Sequence, residues 1–262
     1  MDIRAIFIDL DGTLLTRKNE ISQRNVTAIT MLLNQGVKVF LATGRQYEIT
    51  APYHKKLGLK TPMICLNGAS IHDAHTGKAI QTKSVNIDEE RFYRLTQGNQ
   101  YNVIVHTTTG TYCKRTSPEI EEWTREAGSS PTYNEDLHLV NYGKVLKYSV
   151  RTGFESAPIA MEFMDEADVI HWDDGFEIVA QGVSKWAAIQ TIIKAYGIGK
   201  DNVVTIGDGP NDITMLSHSG FGVAMENASS EVKAAANYIT LHHENDGLAD
   251  FIERYLINTY SI

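Results

Sequence analysis

The chain has 262 residues, of which 42% are hydrophobic and 21% are charged, and its formal net charge at pH 7 is −8. These proportions are typical of a globular protein with a sizeable core, and they exclude an intrinsically disordered chain. The negative charge and the lack of a run of Lys or Arg argue against nucleic acid or an anionic membrane surface as a partner. The length fits either one large domain or two smaller ones.

The cysteines and the first residues bear on location. Cys65 and Cys113 are far apart and lack the spacing of a zinc site or of a disulfide framework. The first apolar run ends at Asp9, so it is too short for a signal peptide or a membrane-spanning helix. We therefore expect a cytoplasmic protein with reduced thiols and no membrane association.

Short apolar runs alternate with helical patterns at the start of the chain. The run at 5–8 predicts a buried strand, and residues 23–35 predict a helix that begins after Ser22. Further strands are predicted at 37–42 and 63–66, with a helix between them. Strands that alternate with helices indicate βαβ units and a parallel sheet.

From about residue 82 the predicted strands come in adjacent pairs. One pair covers 103–107 and 111–115, and a second covers 167–172 and 176–180. Paired antiparallel strands with helices between them indicate an α+β unit, which we predict to be an inserted domain.

After Lys185 the alternating pattern returns. A helix precedes a strand at 203–206, and two short strands follow at 222–224 and 238–239, with helices from about residues 230 and 247. The first and last segments are therefore predicted to form one sheet that the middle segment interrupts.

Polar turns containing glycine follow three of the predicted strands. Their sequences are DLDGT at 9–13, TGR at 43–45 and GDGPND at 207–212. Because the active site of an open parallel sheet lies beyond the carboxyl ends of its strands, we expect Asp9, Asp11, Asp208 and Asp212 to cluster. Either a divalent cation neutralises these carboxylates or some of them are protonated, and Mg²⁺ is the simplest answer.

Each of these features alone also has an ordinary structural explanation. The DLDG segment at 9–12 fits a solvated turn, because Asp and Gly favour turns. Thr43 fits a helix N-cap, and Lys185 fits an exposed lysine at the start of a helix. The functional interpretation depends on their occurring together and in order.

Together the motifs resemble those of the haloacid dehalogenase superfamily of aspartate-nucleophile phosphatases. The resemblance rests on DLDGTL at 9–14, ATGR at 42–45, GVSK at 182–185, and GDGPND at 207–212 followed by Met215 and Leu216. LNGA at 66–69 and NDG at 245–247 further resemble the Cof-like subfamily, in which a large α/β cap is inserted between the second and third motifs.

The resemblance implies an α/β fold with a Rossmann-like parallel-sheet core and an inserted α+β cap. The core would comprise residues 1–81 and 185–262, and the cap, which selects the substrate, residues 82–184. Each part is close to the usual size of a domain.

The resemblance also implies a mechanism. Asp9 would be the nucleophile that forms an aspartyl phosphate, and Asp11 would protonate the leaving group and later deprotonate the attacking water. Mg²⁺ would be held by the carboxylates of Asp9 and Asp208 and by the backbone carbonyl of Asp11.

Other motif residues would bind the phosphate or support the site. By resemblance, Thr43, Gly44, Lys185 and Asn211 contact the phosphoryl group, with a hydrogen bond from Thr43 and a charge from Lys185. The supporting residues would be Asp212, Arg45 and Asn67.

A few residues stand apart from these motifs. Trp186 stands where the family usually has a small residue, and Gln181 stands where a proline is frequent. We expect Trp186 to pack in the core; the alternative is that it borders the substrate pocket. His242 and His243 are expected to lie in a solvated loop, because adjacent residues do not converge on one metal ion.

The sequence thus predicts a Mg²⁺-dependent phosphatase for a small phosphorylated metabolite, either a sugar phosphate or a phosphorylated cofactor. A phosphomutase that returns the phosphoryl group to a sugar is an alternative from the same motifs. A catalytically silent ligand-binding protein is a second alternative, although it would be expected to lack Asp9, Asp11, Lys185 or Asp208, and all four are present.

Overall fold

The structure is a computed structural model that describes residues 2–128, 130–152 and 157–257. The chain forms two units, each with its own core. We call Met1–Ala79 together with Ser184–Ile262 the core unit, and Ile80–Val183 the inserted unit.

The regular elements of the described residues are numbered here in chain order. The strands are β1 (Ala5–Ile8), β2 (Lys38–Leu41), β3 (Met63–Cys65), β4 (Ser70–His72), β5 (Ala79–Thr82), β6 (Asn102–Thr107), β7 (Thr111–Cys113), β8 (Thr132–Tyr133), β9 (Val145–Arg151), β10 (Ala167–Trp172), β11 (Gly175–Ala180), β12 (Val203–Gly207), β13 (Phe221–Ala224) and β14 (Tyr238–Ile239). The helices are α1 (Gln23–Asn34), α2 (Tyr47–Lys56), α3 (Glu89–Leu95), α4 (Pro118–Ala127), α5 (Ala157–Met161), α6 (Lys185–Ala195), α7 (Ile213–His218), α8 (Ser230–Ala234) and α9 (Gly247–Phe251).

A parallel sheet with the order β14-β13-β12-β1-β2 forms the centre of the core unit. The four residues of β1 are apolar and fully buried, since strands pair with β1 on both sides and apolar clusters cover both faces. A further parallel bridge joins Ala42 to Ile64 beyond the end of β2. The predicted strands and helices of this unit are confirmed to within a few residues.

The order of this sheet determines where the site lies. The chain runs from β1 to β2 on one side, whereas β12 pairs with β1 on the other, with Ile8 opposite Ile206. The carboxyl ends of β1 and β12 are therefore adjacent, at the point where the strand order reverses. This is the position at which open parallel sheets bind ligands.

The inserted unit contains a six-stranded sheet with the order β10-β11-β9-β6-β7-β8. Its pairs are antiparallel except for β7 and β8, and both predicted hairpins, β6-β7 and β10-β11, are present. One face is apolar and packs Tyr148 and Phe176 against Phe92 of α3 and against α5. The predicted fold class, a Rossmann-like parallel-sheet core interrupted by an α+β unit, is confirmed.

The opposite face of this second sheet buries charge. Nζ of Lys147 lies 2.6 Å from Oε1 of Glu177, and the hydroxyl of Ser149 donates to the same oxygen at 3.1 Å. Burial raises the pKa of Glu177, but Lys147 and Arg151 outweigh it and bring the pKa to about 2. Glu177 is therefore a buried carboxylate that stays ionised because cations surround it.

Three smaller expectations have clear outcomes. Trp186 packs in an apolar cluster and stacks on the ring of His218, as expected for a core residue. The solvated loop expected at His242 and His243 is wrong for His243, which is buried with Nδ1 2.7 Å from the carbonyl oxygen of Leu15, because that carbonyl gives the ring a polar partner. No helix in residues 2–128, 130–152 and 157–257 is long and apolar enough to cross a bilayer.

Candidate active site

Three carboxylates converge at the carboxyl end of the parallel sheet. Asp9 follows β1, Asp208 follows β12, and Asp212 lies in the short helical turn after it. Each offers a carboxylate oxygen, and these oxygens all lie within 4.8 Å of one another. Asp9 and Asp212 are buried, so their negative charges are poorly screened by water.

Burial and mutual repulsion raise the pKa values of two carboxyl groups in this cluster. Burial raises the pKa of Asp9 well above its usual value; Lys185 opposes the shift, and Asp212, Asp208 and Asp11 add to it. Burial and the neighbouring Asp212 raise the pKa of Asp208 to about 7. The cluster therefore requires additional positive charge if all its carboxylates are to be ionised at neutral pH.

Lys185 supplies part of that charge. It is the first residue of α6, and its Nζ lies 2.6 Å from Oδ1 of Asp9 and 2.6 Å from Oδ1 of Asp212. Burial disfavours its charge, but Asp212 and Asp9 more than compensate and raise its pKa above the usual value. Lys185 is thus an ammonium group at physiological pH, with no exposed side-chain surface.

Both carboxylate oxygens of Asp212 accept hydrogen bonds from other residues of the site. Its Oδ1 accepts from Lys185, and its Oδ2 accepts from the backbone N–H groups of Asp208 and Gly209, both at 3.0 Å. A side chain at Gly207 would overlap the Asp212 carboxyl group, which explains glycine there. Asp212 therefore holds both Lys185 and the loop that carries Asp208.

Gly12 lets the first motif approach Asp208 closely. Its φ is +68°, which glycine adopts at little cost, and a Cβ there would overlap the carboxylate of Asp208. A larger residue would therefore meet both backbone strain and a steric conflict.

The Asp11 side chain does not join the carboxylate cluster, in contrast to the expected group of four. Arg45 binds it through two hydrogen bonds, from Nε at 2.8 Å and from Nη2 at 2.6 Å. The guanidinium also donates to Oδ1 of Asn19 at 3.0 Å and lies over the ring of Tyr53. Asp11 therefore points towards Arg45 in a bidentate ion pair, with 55% of its side chain exposed.

The predicted phosphate-binding residues lie in neighbouring loops. The Thr43 hydroxyl is buried and accepts from the backbone N–H of Arg45 at 3.0 Å, so its own hydrogen can be donated to a ligand. Nδ2 of Asn211 donates to Oδ1 of Asn67 at 2.8 Å, and a Cβ at Gly44 would crowd that same Asn67 oxygen. The structure thus brings Gly44, Asn67 and Asn211 together.

Two side chains that the sequence analysis did not assign bind Asp208. The Thr13 hydroxyl donates to Oδ1 of Asp208 at 3.0 Å, and Nδ2 of Asn227 donates to Oδ2 at 3.0 Å. Thr13 lies within the first motif, and Asn227 lies three residues beyond β13, the strand next to β12. The carboxyl-end rule applied to β13 would have drawn attention to Asn227.

The donor set suits a small divalent cation. Carboxylate and carbonyl oxygens are the ligands that hard ions such as Mg²⁺ prefer, and one buried lysine cannot balance three carboxylates. Within the described part of the chain, this is the one cluster of three acidic, histidine or cysteine side chains with ligand atoms so close together.

Comparisons with known proteins agree with this architecture. A sequence model of the family described as haloacid dehalogenase-like hydrolase matches residues 6–252. The chain is 27% identical to pyridoxal phosphate phosphatase YbhA of Escherichia coli (strain K12), over 98% of this chain and 100% of that protein. It is 29% identical to the 5-amino-6-(5-phospho-D-ribitylamino)uracil phosphatase YitU of Bacillus subtilis (strain 168), over 95% of this chain and 96% of that protein.

Solved structures show the same fold. A haloacid dehalogenase-like hydrolase from Bacteroides thetaiotaomicron superposes with a TM-score of 0.81 at 27% identity, covering 96% of this chain and 99% of the other. The family match and the shared fold place this protein among the haloacid dehalogenase-like hydrolases. The chain belongs to the haloacid dehalogenase superfamily and to its Cof-like subfamily, and it is a phosphatase.

Proposed function

We propose that this phosphatase hydrolyses the phosphate monoester of a small metabolite, a sugar phosphate or a phosphorylated cofactor, with Mg²⁺ and through an aspartyl phosphate on Asp9. The observation that carries the proposal is the buried Lys185 ammonium between Asp9 and Asp212, beside Asp208. The names of YbhA and YitU support the substrate class, because each specifies a small phosphorylated compound as that protein's substrate.

In the first step a carboxylate oxygen of Asp9 attacks phosphorus in line with the ester oxygen. The new bond joins Asp9 to phosphorus, the bond from phosphorus to the ester oxygen breaks, and Asp11 gives a proton to the departing oxygen. Lys185 lowers the repulsion between Asp9 and the phosphate dianion, because its positive charge lies 2.6 Å from the nucleophilic carboxylate.

In the second step water attacks phosphorus of the aspartyl phosphate. Asp11, now ionised, takes a proton from that water, and the bond between phosphorus and Asp9 breaks. Inorganic phosphate leaves, and Asp9 is again a carboxylate. For the first step Asp11 must be protonated and must release Arg45, because a carboxylate in a bidentate ion pair holds no transferable proton.

The phosphoryl oxygens would be bound by donors on three loops. We assign this role to the hydroxyl of Thr43, to Gly44, to the ammonium of Lys185 and to the amide of Asn211. Asn67 would orient Asn211 through their 2.8 Å hydrogen bond, and Arg45 would hold Asp11 through their ion pair before substrate binds.

The proposed cation is Mg²⁺, held by the carboxylates of Asp9 and Asp208 and by the backbone carbonyl of Asp11. When bound, it would neutralise carboxylate charge and polarise a phosphoryl oxygen. Asp212 would support the site and not bind the cation, through the hydrogen bonds it accepts from Lys185 and from the backbone N–H groups of Asp208 and Gly209.

We further propose that residues 1–81 and 185–262 carry out the chemistry and that residues 82–184 select the leaving group. We also propose a cytoplasmic location, because Cys65 and Cys113 are both free thiols buried in the protein, as expected in a reducing compartment.

Phosphate release from a panel of metabolites tests the function. The panel contains sugar monophosphates, pyridoxal phosphate, flavin mononucleotide and nucleotides, each with Mg²⁺ and with a chelator, and Asp9→Asn serves as the inactive control. We expect the wild-type enzyme with Mg²⁺ to release phosphate from one small class of substrates. We expect no release in chelator or with Asp9→Asn. Unchanged rates in chelator would overturn the cation site, and an isomerised ester without free phosphate would show a mutase instead.

A further inference from the structure

Asn227 connects three parts of the core unit through one carboxamide. Its Nδ2 donates to the carbonyl oxygen of Gly12 at 2.8 Å and to Oδ2 of Asp208 at 3.0 Å. Its Oδ1 accepts from the backbone N–H of His243 at 3.1 Å. The first motif, the fourth motif and the segment before α9 therefore meet at this side chain.

The chemistry of these partners requires an amide at this position. The Gly12 carbonyl and the ionised Asp208 carboxylate can only accept hydrogen bonds, whereas the His243 N–H can only donate. The carboxamide orientation is therefore fixed, with NH₂ towards the two acceptors and oxygen towards the donor. An aspartate of the same shape would place a carboxylate oxygen against both acceptors.

Asn227 is itself anchored on its other side. The buried ring of His243 places Nδ1 2.7 Å from the carbonyl oxygen of Leu15, at the end of the first motif. The neighbouring Glu244 accepts from the backbone N–H of Arg17 at 2.6 Å. The segment at 243–244, which donates a hydrogen bond to the Asn227 oxygen, is therefore hydrogen-bonded to residues 15 and 17, shortly after Asp9.

Thr13 and Asn227 divide the two oxygens of Asp208 between them. Thr13 donates to Oδ1 and Asn227 to Oδ2, so the carboxylate cannot rotate about its Cβ–Cγ bond without losing a hydrogen bond. An oriented carboxylate binds a cation more tightly than one that must be ordered first, because the entropy cost has already been met.

We propose that Asn227 is a positioning residue for the divalent cation: it fixes the Asp208 carboxylate against the loop that carries Asp9. This inference rests on the proposed function, in which Asp208 is a ligand of Mg²⁺. Loss of a residue that orients a metal ligand typically weakens binding by about 10–100-fold, and we expect a loss of that size here.

The test is direct calorimetric titration of Mg²⁺ into the metal-free, full-length protein. Asn227→Ala is compared with wild type and with Asn237→Ala, a matched control whose Oδ1 accepts from the backbone N–H of Gly222 at 2.7 Å, away from the carboxylates. We expect about 10–100-fold weaker Mg²⁺ binding in Asn227→Ala and wild-type affinity in Asn237→Ala. If Asn227→Ala does not fold cooperatively, Asn227→Ser, which is too short to reach both acceptors, replaces it with the same expectation.

Asp208→Asn separates failure of this inference from failure of the proposed function. Wild-type Mg²⁺ affinity in Asp208→Asn would overturn the cation site itself. Loss of affinity in Asp208→Asn together with wild-type affinity in the Asn227 variant would overturn the positioning role alone. The melting temperature in chelator measures the structural effect of each substitution. Equal decreases in melting temperature in Asn227→Ala and Asn237→Ala, together with weaker Mg²⁺ binding in Asn227→Ala alone, support the proposal.

Discussion

Nζ of Lys185 lies 2.6 Å from Oδ1 of Asp9, although 176 residues separate them in the chain. Both side chains are buried, and Asp212 binds the other side of the ammonium at 2.6 Å. This pair sets a permanent positive charge against the proposed nucleophile. It also means that Lys185 cannot be removed without depriving Asp9 and Asp212 of their buried counter-ion.

Replacing Lys185 is therefore expected to affect both stability and activity. Lys185→Met should lower the free energy of unfolding by about 3–5 kcal/mol in chelator, because Asp9 and Asp212 lose their buried counter-ion. It should lower kcat at least about 10²-fold with Mg²⁺, as loss of one preorganised donor to a transition state does. Urea denaturation and phosphate release measure the two effects, and the exposed Lys194→Met on the same helix is the control. Equal stability and equal kcat in the two variants would contradict the role of Lys185 in the site.

Gly12 offers a test of the close approach between the first and fourth motifs. Gly12→Ala introduces strain at φ +68° and a Cβ that overlaps Asp208, whereas Gly36→Ala introduces strain at φ +83° with no atom within 4 Å. Both should lose about 1–2 kcal/mol of stability from the left-handed backbone. Gly12→Ala should in addition lose most of its activity, which Gly36→Ala should retain. Similar rates of phosphate release from the two variants would contradict the requirement for close approach at Gly12.

Asp11 can be tested with an aryl phosphate, because an aryl oxide needs no protonation to leave. Asp11→Asn should then form the aspartyl phosphate at a near-normal rate but hydrolyse it about 10²–10⁴-fold more slowly, since the general base is missing. Rapid-mixing measurements should show a burst of the aryl alcohol close to one equivalent per enzyme molecule. A slow reaction without a burst would mean that Asp11 acts before the intermediate forms, and not on the water.

Glu177 is expected to make the inserted unit sensitive to acid. Its pKa is about 2 in the folded protein and 4.5 as its ordinary value, so the stability it contributes is present above pH 4.5 and is lost as the pH falls towards 2. Glu177→Gln should be about 3–5 kcal/mol less stable than wild type at pH 7, because Lys147 then loses the buried carboxylate that lies 2.6 Å from its Nζ.

The difference between wild type and Glu177→Gln should shrink as the pH falls from 4.5 to about 2, measured by urea denaturation across that range. Glu119→Gln removes a more exposed carboxylate that binds Arg151 in the same network, so it should change stability by less than about 1 kcal/mol. A constant difference across this pH range would show that the Glu177 carboxylate is not stabilised by its ion pair.

The sequence was sufficient for much of the core unit because its strands are short apolar runs that end in polar turns. An aspartate directly follows each of β1 and β12, so the rule for parallel sheets predicts from the sequence that Asp9 and Asp208 lie close together. The sheet of the inserted unit was harder to predict. Its central strand β9 carries Lys147, Ser149 and Arg151 on one face, and such residues normally indicate exposure. Lys147 and Ser149 are buried here and Arg151 is half-buried, because Glu177 pairs with them.

The hydrogen bonds that support the site could not be predicted from the sequence, because they join residues far apart in the chain. The bond from Arg45 to Asp11 and the bond from Asn227 to Asp208 join residues 34 and 19 positions apart. Both depend on how loops fold over the sheet edge, which local patterns do not specify. The approximate position of the carboxylates could be derived, whereas the direction in which the Asp11 side chain points could not.

The central claim is that Asp9 is the nucleophile, and chemical trapping of the intermediate tests it most directly. An acyl phosphate is reduced by borohydride to an alcohol, which would convert a phosphorylated Asp9 into homoserine. Wild-type enzyme quenched during turnover with Mg²⁺ and an aryl phosphate should carry homoserine at position 9 by peptide mass spectrometry, and enzyme without substrate should not. Modification of a different residue, or no modification in a preparation that is releasing phosphate, would contradict the account.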